Sequence, residues 1–197
     1  MHSLLAAFLH PPIAHRGLHG PGVPENSLAA FEAAAQAGYA IECDIQRTAD
    51  GSPVVFHDDD LKRLVGDARR VADCLPQDLA RLRLLGSDQP VPTLRNMLDH
   101  VAGRVPLLVE IKDQDGQLGG NIGDLQDRVA ELLSDYDGPV AVMSFNPETM
   151  VRFQARAPGI PAGLVTDAFE ESDWPQLDAA KRRHLAMIGD FGRSGVG

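Results

Sequence analysis

Cysteine is almost absent: Cys43 and Cys74 are the only two in 197 residues. Two cysteines cannot build a disulfide framework or a four-sulfur zinc site. Positive charge is scarce as well. Lys plus Arg number 18 against 28 Asp plus Glu, a formal net charge of −10. That balance speaks against broad contact with nucleic acid or an anionic membrane surface. It leaves room for an anionic substrate, because a metal ion or one placed Arg reverses the sign locally. No apolar run approaches a transmembrane span. The N-terminal stretch from Met1 to Pro12 is too short and too poor in basic residues for a secretory leader. Internal repeats and low-complexity segments are missing too. The expectation is a soluble cytoplasmic protein without a nucleic-acid partner or stable membrane insertion. Its hydrophobic content of 44% is enough for a packed core, and its length suits one domain.

Strand and helix signals alternate along the chain. Ile13-Ala14-His15-Arg16-Gly17 reads as a short strand ending in polar residues. Ser27 to Ala37 reads as a helix, capped by Asn26 or Ser27 and stopped at Gly38. Ala40 to Ile45 is strand-like, Asp50-Gly51 is a turn signal, and Val54 to His57 is strand-like again. Residues 59–92 are polar with scattered Leu and Val, and read as an irregular insertion. Thr93 to Val101, Ile122 to Leu133, Pro147 to Ala157 and about Asp173 to His184 read as helices. Val105 to Lys112, Val140 to Phe145 and Ala162 to Thr166 read as strands, and Ile188 to Gly197 as a Gly-rich tail. Such alternation predicts a parallel sheet. Polar residues gather at the strands' C-terminal ends, where a (β/α) barrel places its chemistry.

Side chains two apart on a strand share a face, so Glu42 and Asp44 point the same way and Cys43 points behind. Two adjacent carboxylates in an apolar strand repel each other and lose hydration; a bound cation removes both costs. The link from Asp44 to His57 is too short for a helical crossover, so a hairpin is expected, returning His57 roughly opposite Asp44. Glu110 and Lys112 repeat the two-residue spacing on another apolar strand. His15 and Arg16 end the first one. Two His, one Arg and three carboxylates are costly to gather for stability alone. The set suits hydrolysis or internal transfer at a phosphate ester. Arg16 can grip phosphate oxygens through its planar fork. Glu42, Asp44 and Glu110 offer hard oxygen ligands, favouring Mg²⁺ or Ca²⁺ over zinc. His15 and His57 can exchange base and acid roles near neutral pH.

Eight short segments carry a resemblance: His15-Arg16-Gly17, Pro24-Glu25-Asn26-Ser27, Glu42-Cys43-Asp44, Thr48-Ala49-Asp50-Gly51, Val54-Val55-Phe56-His57-Asp58, Pro92-Thr93-Leu94, Glu110-Ile111-Lys112 and Ser144-Phe145. In this order and spacing the chain resembles the glycerophosphodiester phosphodiesterases, within the phospholipase-C-like phosphodiesterase superfamily. The resemblance implies a TIM-type barrel with a small insertion after the hairpin. It implies a divalent metal on Glu42, Asp44 and Glu110, and general acid and base roles for His15 and His57. Arg16 would bind phosphate and Lys112 would support substrate or transition-state charge. The substrate would be a small-molecule glycerophosphodiester, cleaved to glycerol 3-phosphate and an alcohol.

Two expectations temper that picture. Only about five of the eight barrel strands are recognisable, ending at His15, Asp44, Lys112, Phe145 and Thr166. The single domain, 1–197, is therefore expected to be a C-terminally incomplete barrel with its insertion at about 59–92. A homo-oligomer covering the open edge is one remedy, and a truncated, non-catalytic remnant is an alternative outcome. A lysophospholipid or sphingolipid head group is the alternative substrate. Lys62, Arg63, Arg69 and Arg70 are expected to form a solvated basic face, with contact to an anionic head group as the alternative; Cys74 is expected to be an incidental thiol, and Phe145 to serve packing, with substrate contact as the alternative.

Overall fold

The computed structural model describes residues 6–9 and 11–194, with side chains as far as Ile188. The expectation for residues 1–12 therefore falls outside the described residues at 1–5 and 10. Five parallel strands form the framework: β1 (Ile13–Ala14), β2 (Ala40–Arg47), β4 (Leu107–Ile111), β5 (Val140–Ser144) and β6 (Ala162–Leu164), side by side in that order. A sixth, β3 (Pro53–Val55), pairs antiparallel with the end of β2. Helices α1 (Leu28–Gln36), α4 (Leu94–Val101), α5 (Leu125–Ser134) and α6 (Pro147–Arg156) cover one face; α7 (Ala179–Ser194) follows β6. This is the expected (β/α) barrel in incomplete form, with β1 and β6 as its two ends.

Alternation decides which face each strand residue takes. Ile41, Cys43 and Ile45 of β2, Leu107, Val109 and Ile111 of β4, and Val140 and Val142 of β5 point to the helices. There they pack with Phe31, Met97, Val129, Phe153 and their neighbours in one buried cluster. Cys43 thus lies behind the sheet, as expected. Glu42, Asp44 and Glu110 take the opposite, inner face. Local chemistry positions the helices. Ser27 caps α1 by accepting from the Ala30 N–H, and Thr93 with Asn96 forms a capping box on α4.

Several boundaries differ from expectation. The 122–133 helix begins only at Leu125. The last helix runs Ala179–Ser194, so Trp174 lies before it and Ile188 to Ser194 is helical; Gly195 to Gly197 fall outside the described residues. Hydrophobic periodicity blurs where Gly and polar residues are mixed into a helix. Residues 59–92 are less irregular than expected. They hold the short helices α2 (Lys62–Val65) and α3 (Pro76–Leu79), with a 3₁₀ turn at Val71–Asp73 between them. Leu61, Val71, Cys74, Leu79, Leu84 and Val91 bury themselves with Val54 and Phe56 in a second core. Cys74, 1% exposed, is part of that core rather than an incidental thiol.

The hairpin register is also off by one. Ile45 pairs with Val55 and the Phe56 N–H donates to the Asp44 carbonyl at 2.9 Å. Phe56 therefore lies opposite Asp44. The ladder ends at Val55, and the chain beyond it carries His57 into the cleft.

Candidate active site

The parallel register of β2 and β4 sets Asp44 beside Glu110, and Glu42 beside Leu108 one layer below. One oxygen from each of Glu42, Asp44 and Glu110 lies within 4.8 Å of the others, and all three residues are buried. Lys112, two residues past Glu110 on the same face, places Nζ 2.7 Å from Asp44 Oδ1 and 2.7 Å from Glu110 Oε1. Its pKa is raised: burial opposes this, but Asp44 and Glu110 outweigh it.

The β1 loop closes over this layer. Arg16 and Asn26 both adopt left-handed backbone, φ 58° and 55°, and the Asn26 N–H donates to the Arg16 carbonyl at 2.9 Å. Gly17 follows at φ 79°, where a Cβ would sit 2.8 Å from that of Ala30. This tight turn aims the Arg16 N–H at Glu42 Oε2, 2.9 Å away. Arg16 Nε lies 3.4 Å from Asp44 Oδ2, and Asn26 Nδ2 donates to that same oxygen at 2.9 Å. His15 Nε2 stands 3.9 Å from Glu42 Oε2, with its side chain largely exposed. His57 Nδ1 lies 2.7 Å from Asp58 Oδ1 on the far rim. A cleft of about 430 Å³ beside the trio is lined by His57, Glu110 and Lys112 together with Leu118, Phe145 and Trp174. A larger apolar groove of about 570 Å³ beside β5 and β6 shares no residue with it.

Electrostatics mark Glu42 as the anomalous member. Burial, then the neighbouring Asp44 charge, pushes its carboxyl up to about 7. Its Oε1 is buried without a hydrogen-bond partner among the described residues. A buried acceptor of that kind costs about 1–3 kcal/mol or more if charged. A divalent cation relieves the cost, and three carboxylates in reach of one another are the donors a hard cation needs. The residues present therefore fit a divalent metal. His15 is held below its ordinary value, by burial first and then by Arg16, while the Asp44 charge opposes the shift and that of His57 adds to it.

All seven residues singled out from the sequence thus border the inner face or its rim. Four neighbours escaped that reading. Asn26 is not a helix cap: Ser27 takes that role and Asn26 grips Asp44. Glu25 and Asp58 receive Arg16 and His57 at 2.9 and 2.7 Å. Arg63, its side chain 46% exposed, joins both carboxylates as well as facing water. Glu25, Asn26 and Asp58 sat inside the quoted segments; Arg63 was visible only as part of a basic cluster, with nothing local to name its partners. Phe145 does serve packing, its ring 5.3 Å from Trp174.

Parallel strands with acidic, basic and imidazole groups at their C-terminal ends define an incomplete (β/α)-barrel protein with a buried acidic trio that fits a cation. The profile of the glycerophosphoryl diester phosphodiesterase family matches residues 15–195, and the chain belongs to that family. YhdW of Bacillus subtilis, provisionally named a glycerophosphodiester phosphodiesterase, is 32% identical over 164 residues, covering 78% of this chain and 65% of YhdW. The glycerophosphodiester phosphodiesterase of Caldanaerobacter subterraneus is 29% identical over 164 residues, with the same coverage of 78% and 65%. An Oleispira antarctica phosphodiesterase, solved with the product sn-glycerol 3-phosphate, superposes with TM-score 0.72 at 28% identity, covering 91% of this chain and 73% of the other. The chain thus spans about two thirds of the length of these curated relatives.

Proposed function

We propose that this domain is a metal-dependent phosphoric diester hydrolase that cleaves glycerophosphodiesters to glycerol 3-phosphate and an alcohol. The observation that carries the reading is the buried, unpartnered Glu42 Oε1 inside the Glu42, Asp44 and Glu110 trio. Those three residues would hold the cation, Mg²⁺ or Ca²⁺ by the hardness of their oxygens. When bound, it supplies positive charge beside the phosphoryl oxygens. Arg16 and Lys112, which meet Asp44 beside the trio, would add positive charge for an anion that otherwise repels nucleophiles. His15, held below its ordinary pKa and thus neutral at pH 7, suits the base that deprotonates water or the neighbouring glycerol hydroxyl. His57 lines the cleft with Nδ1 engaged by Asp58, which leaves Nε2 for the acid that protonates the departing alkoxide. A neighbouring hydroxyl, already positioned, would gain the intramolecular advantage and pass through a cyclic phosphate.

We read residues 1–197 as one barrel domain with its insertion at 59–92. Among the described residues no helix is long and apolar enough to cross a membrane. Two free, buried thiols fit a reducing cytoplasmic setting. Among the described residues β6 pairs on one side alone, which favours a second copy against its free edge and also favours a second reading in which the domain binds substrate without turnover.

The deciding experiment assays glycerol 3-phosphate release from glycerophosphodiesters with and without chelator, beside lysophospholipid substrates. Release that stops on chelation and returns with Mg²⁺ or Ca²⁺ supports the reading. Metal and glycerol 3-phosphate binding without turnover supports the second. Turnover indifferent to chelator sinks the metal assignment.

A further inference from the structure

The insertion reaches back to the site through Arg63 as well as through Asp59, which lines the cleft. Arg63 lies on α2, which is held down by the buried Leu61 and by backbone bonds from Leu61 N to Arg69 O (3.0 Å) and Leu85 N to Leu64 O (2.7 Å). Its guanidinium grips two carboxylates at once. Nε and Nη2 donate to Asp58 Oδ2 and Oδ1 at 2.7 and 2.9 Å. Nη1 and Nη2 donate to Glu25 Oε2 and Oε1 at 3.0 and 2.7 Å. Each carboxylate then turns one of these oxygens to a site residue. Asp58 Oδ1 engages His57 Nδ1 at 2.7 Å, and Glu25 Oε1 accepts from Arg16 Nη1 at 2.9 Å.

We infer that Arg63 is a positioning residue that yokes His57, on the cleft, to Arg16, beside the acidic trio. The inference rests on the reading above for the roles of those two residues. Without Arg63, Glu25 and Asp58 would be two facing anions, and each would need another cation. Arg16 is the cation within reach of Glu25, and a tighter Glu25–Arg16 pair would draw its fork away from phosphate. Asp58 would lose the bonds that set its plane and with them the orientation of the His57 ring. A planar guanidinium can meet two carboxylates in bidentate fashion; a lysine ammonium, as a point charge, cannot hold both planes. Hydrogen bonds from Arg63, then from Arg16, hold Glu25 down to about 2 against the opposing effect of burial, as the yoke requires.

The experiment compares Arg63→Ala, Arg63→Lys, Glu25→Gln and Asp58→Asn in the full chain. It reads ¹⁵N shifts of the His57 ring, affinity for glycerol 3-phosphate, and kcat and KM for a glycerophosphodiester. Arg63→Ala is expected to change the His57 tautomer signature and to weaken glycerol 3-phosphate binding, each effect corresponding to about tenfold or more. Glu25→Gln should move only the affinity and KM, and Asp58→Asn only the His57 signature and kcat. Arg63→Lys should behave like the alanine variant. Unchanged His57 shifts and unchanged affinity in a folded Arg63→Ala protein would overturn the inference, as would full restoration by lysine. If Arg63→Ala does not fold, the split between the two carboxylate variants decides, and its absence overturns the yoke. The shifts and the affinity need no turnover. A wild-type protein inactive on every diester therefore defeats the functional reading while leaving the yoke to be decided by those two measurements.

Discussion

The backbone N–H of Arg16 meets Glu42 Oε2 at 2.9 Å, while the other oxygen of that carboxylate is buried with no partner among the described residues. One half of Glu42 is tied to the β1 loop and the other half is open to a cation. A group so placed couples metal to protons.

Glu42 is held up to about 7, against an ordinary value of 4.5. Cation binding below pH 7 must therefore displace a proton, and apparent affinity should fall by up to about tenfold per pH unit there. The metal-free protein should show the matching stability trend. Between pH 4.5 and 7 the folded state carries the Glu42 proton and the unfolded state does not. Stability should therefore fall as pH rises through this window, by on the order of 3 kcal/mol at most. Calorimetric Mg²⁺ titrations at pH 6 and 8, with denaturant melts of the metal-free protein, check both. Equal affinity at the two pH values would contradict the coupling.

Asn26 fixes Asp44 from the opposite side, donating to Oδ2 from a buried, left-handed position at φ 55°. Asn26→Gly removes the amide but tolerates the backbone angle, whereas Asn26→Ala removes the amide and adds strain. Both should weaken cation binding. Alanine should cost about 1 kcal/mol more stability than glycine, measured by chemical unfolding. Identical unfolding for the two would show that the backbone angle is not a constraint.

Gly17 has two reasons to be glycine. Its φ is 79°, and a Cβ would sit 2.8 Å from Ala30 Cβ and 2.9 Å from the Ala30 carbonyl carbon. Gly17→Ala should lose about 2–4 kcal/mol, combining left-handed strain with overpacking. Adding Ala30→Gly should recover part of the overpacking loss and none of the strain. Thermal melts of the single and double variants report the split; full recovery would assign the whole loss to the clash.

His15 and His57 line the rim rather than the core, with side chains 69% and 33% exposed. His15→Ala or His57→Ala should lower kcat by about a hundredfold or more, the usual scale for lost proton transfer. The melting temperature should stay within a few degrees. Activity measured beside circular dichroism separates chemistry from folding, and a large drop in melting temperature would make these histidines structural.

Much of the framework was legible locally. The run Ala40 to Ile45 announces a strand, and its alternation alone sends Cys43 to the helices and Glu42 with Asp44 to the inner face. The Asp50-Gly51 turn was equally plain, with Gly51 at φ 86°. The hairpin register was not, because one residue of slip leaves the composition of β3 unchanged while turning His57 into Phe56 opposite Asp44. The insertion looked irregular because its apolar residues, from Leu61 to Val91, follow no single period; they converge on a core of their own.

Residue type and two-residue spacing determined that carboxylates, imidazoles and basic groups would gather at strand ends, since strand periodicity is a property of the backbone. Only the tertiary structure decided that Arg63, 38 residues from Glu25 in the chain, would tie that residue to Asp58. It alone made Glu42 the carboxylate with a bare, buried oxygen. Ion pairing across such separations, and the loss of water around one oxygen, depend on which surfaces close together, and no local pattern encodes that.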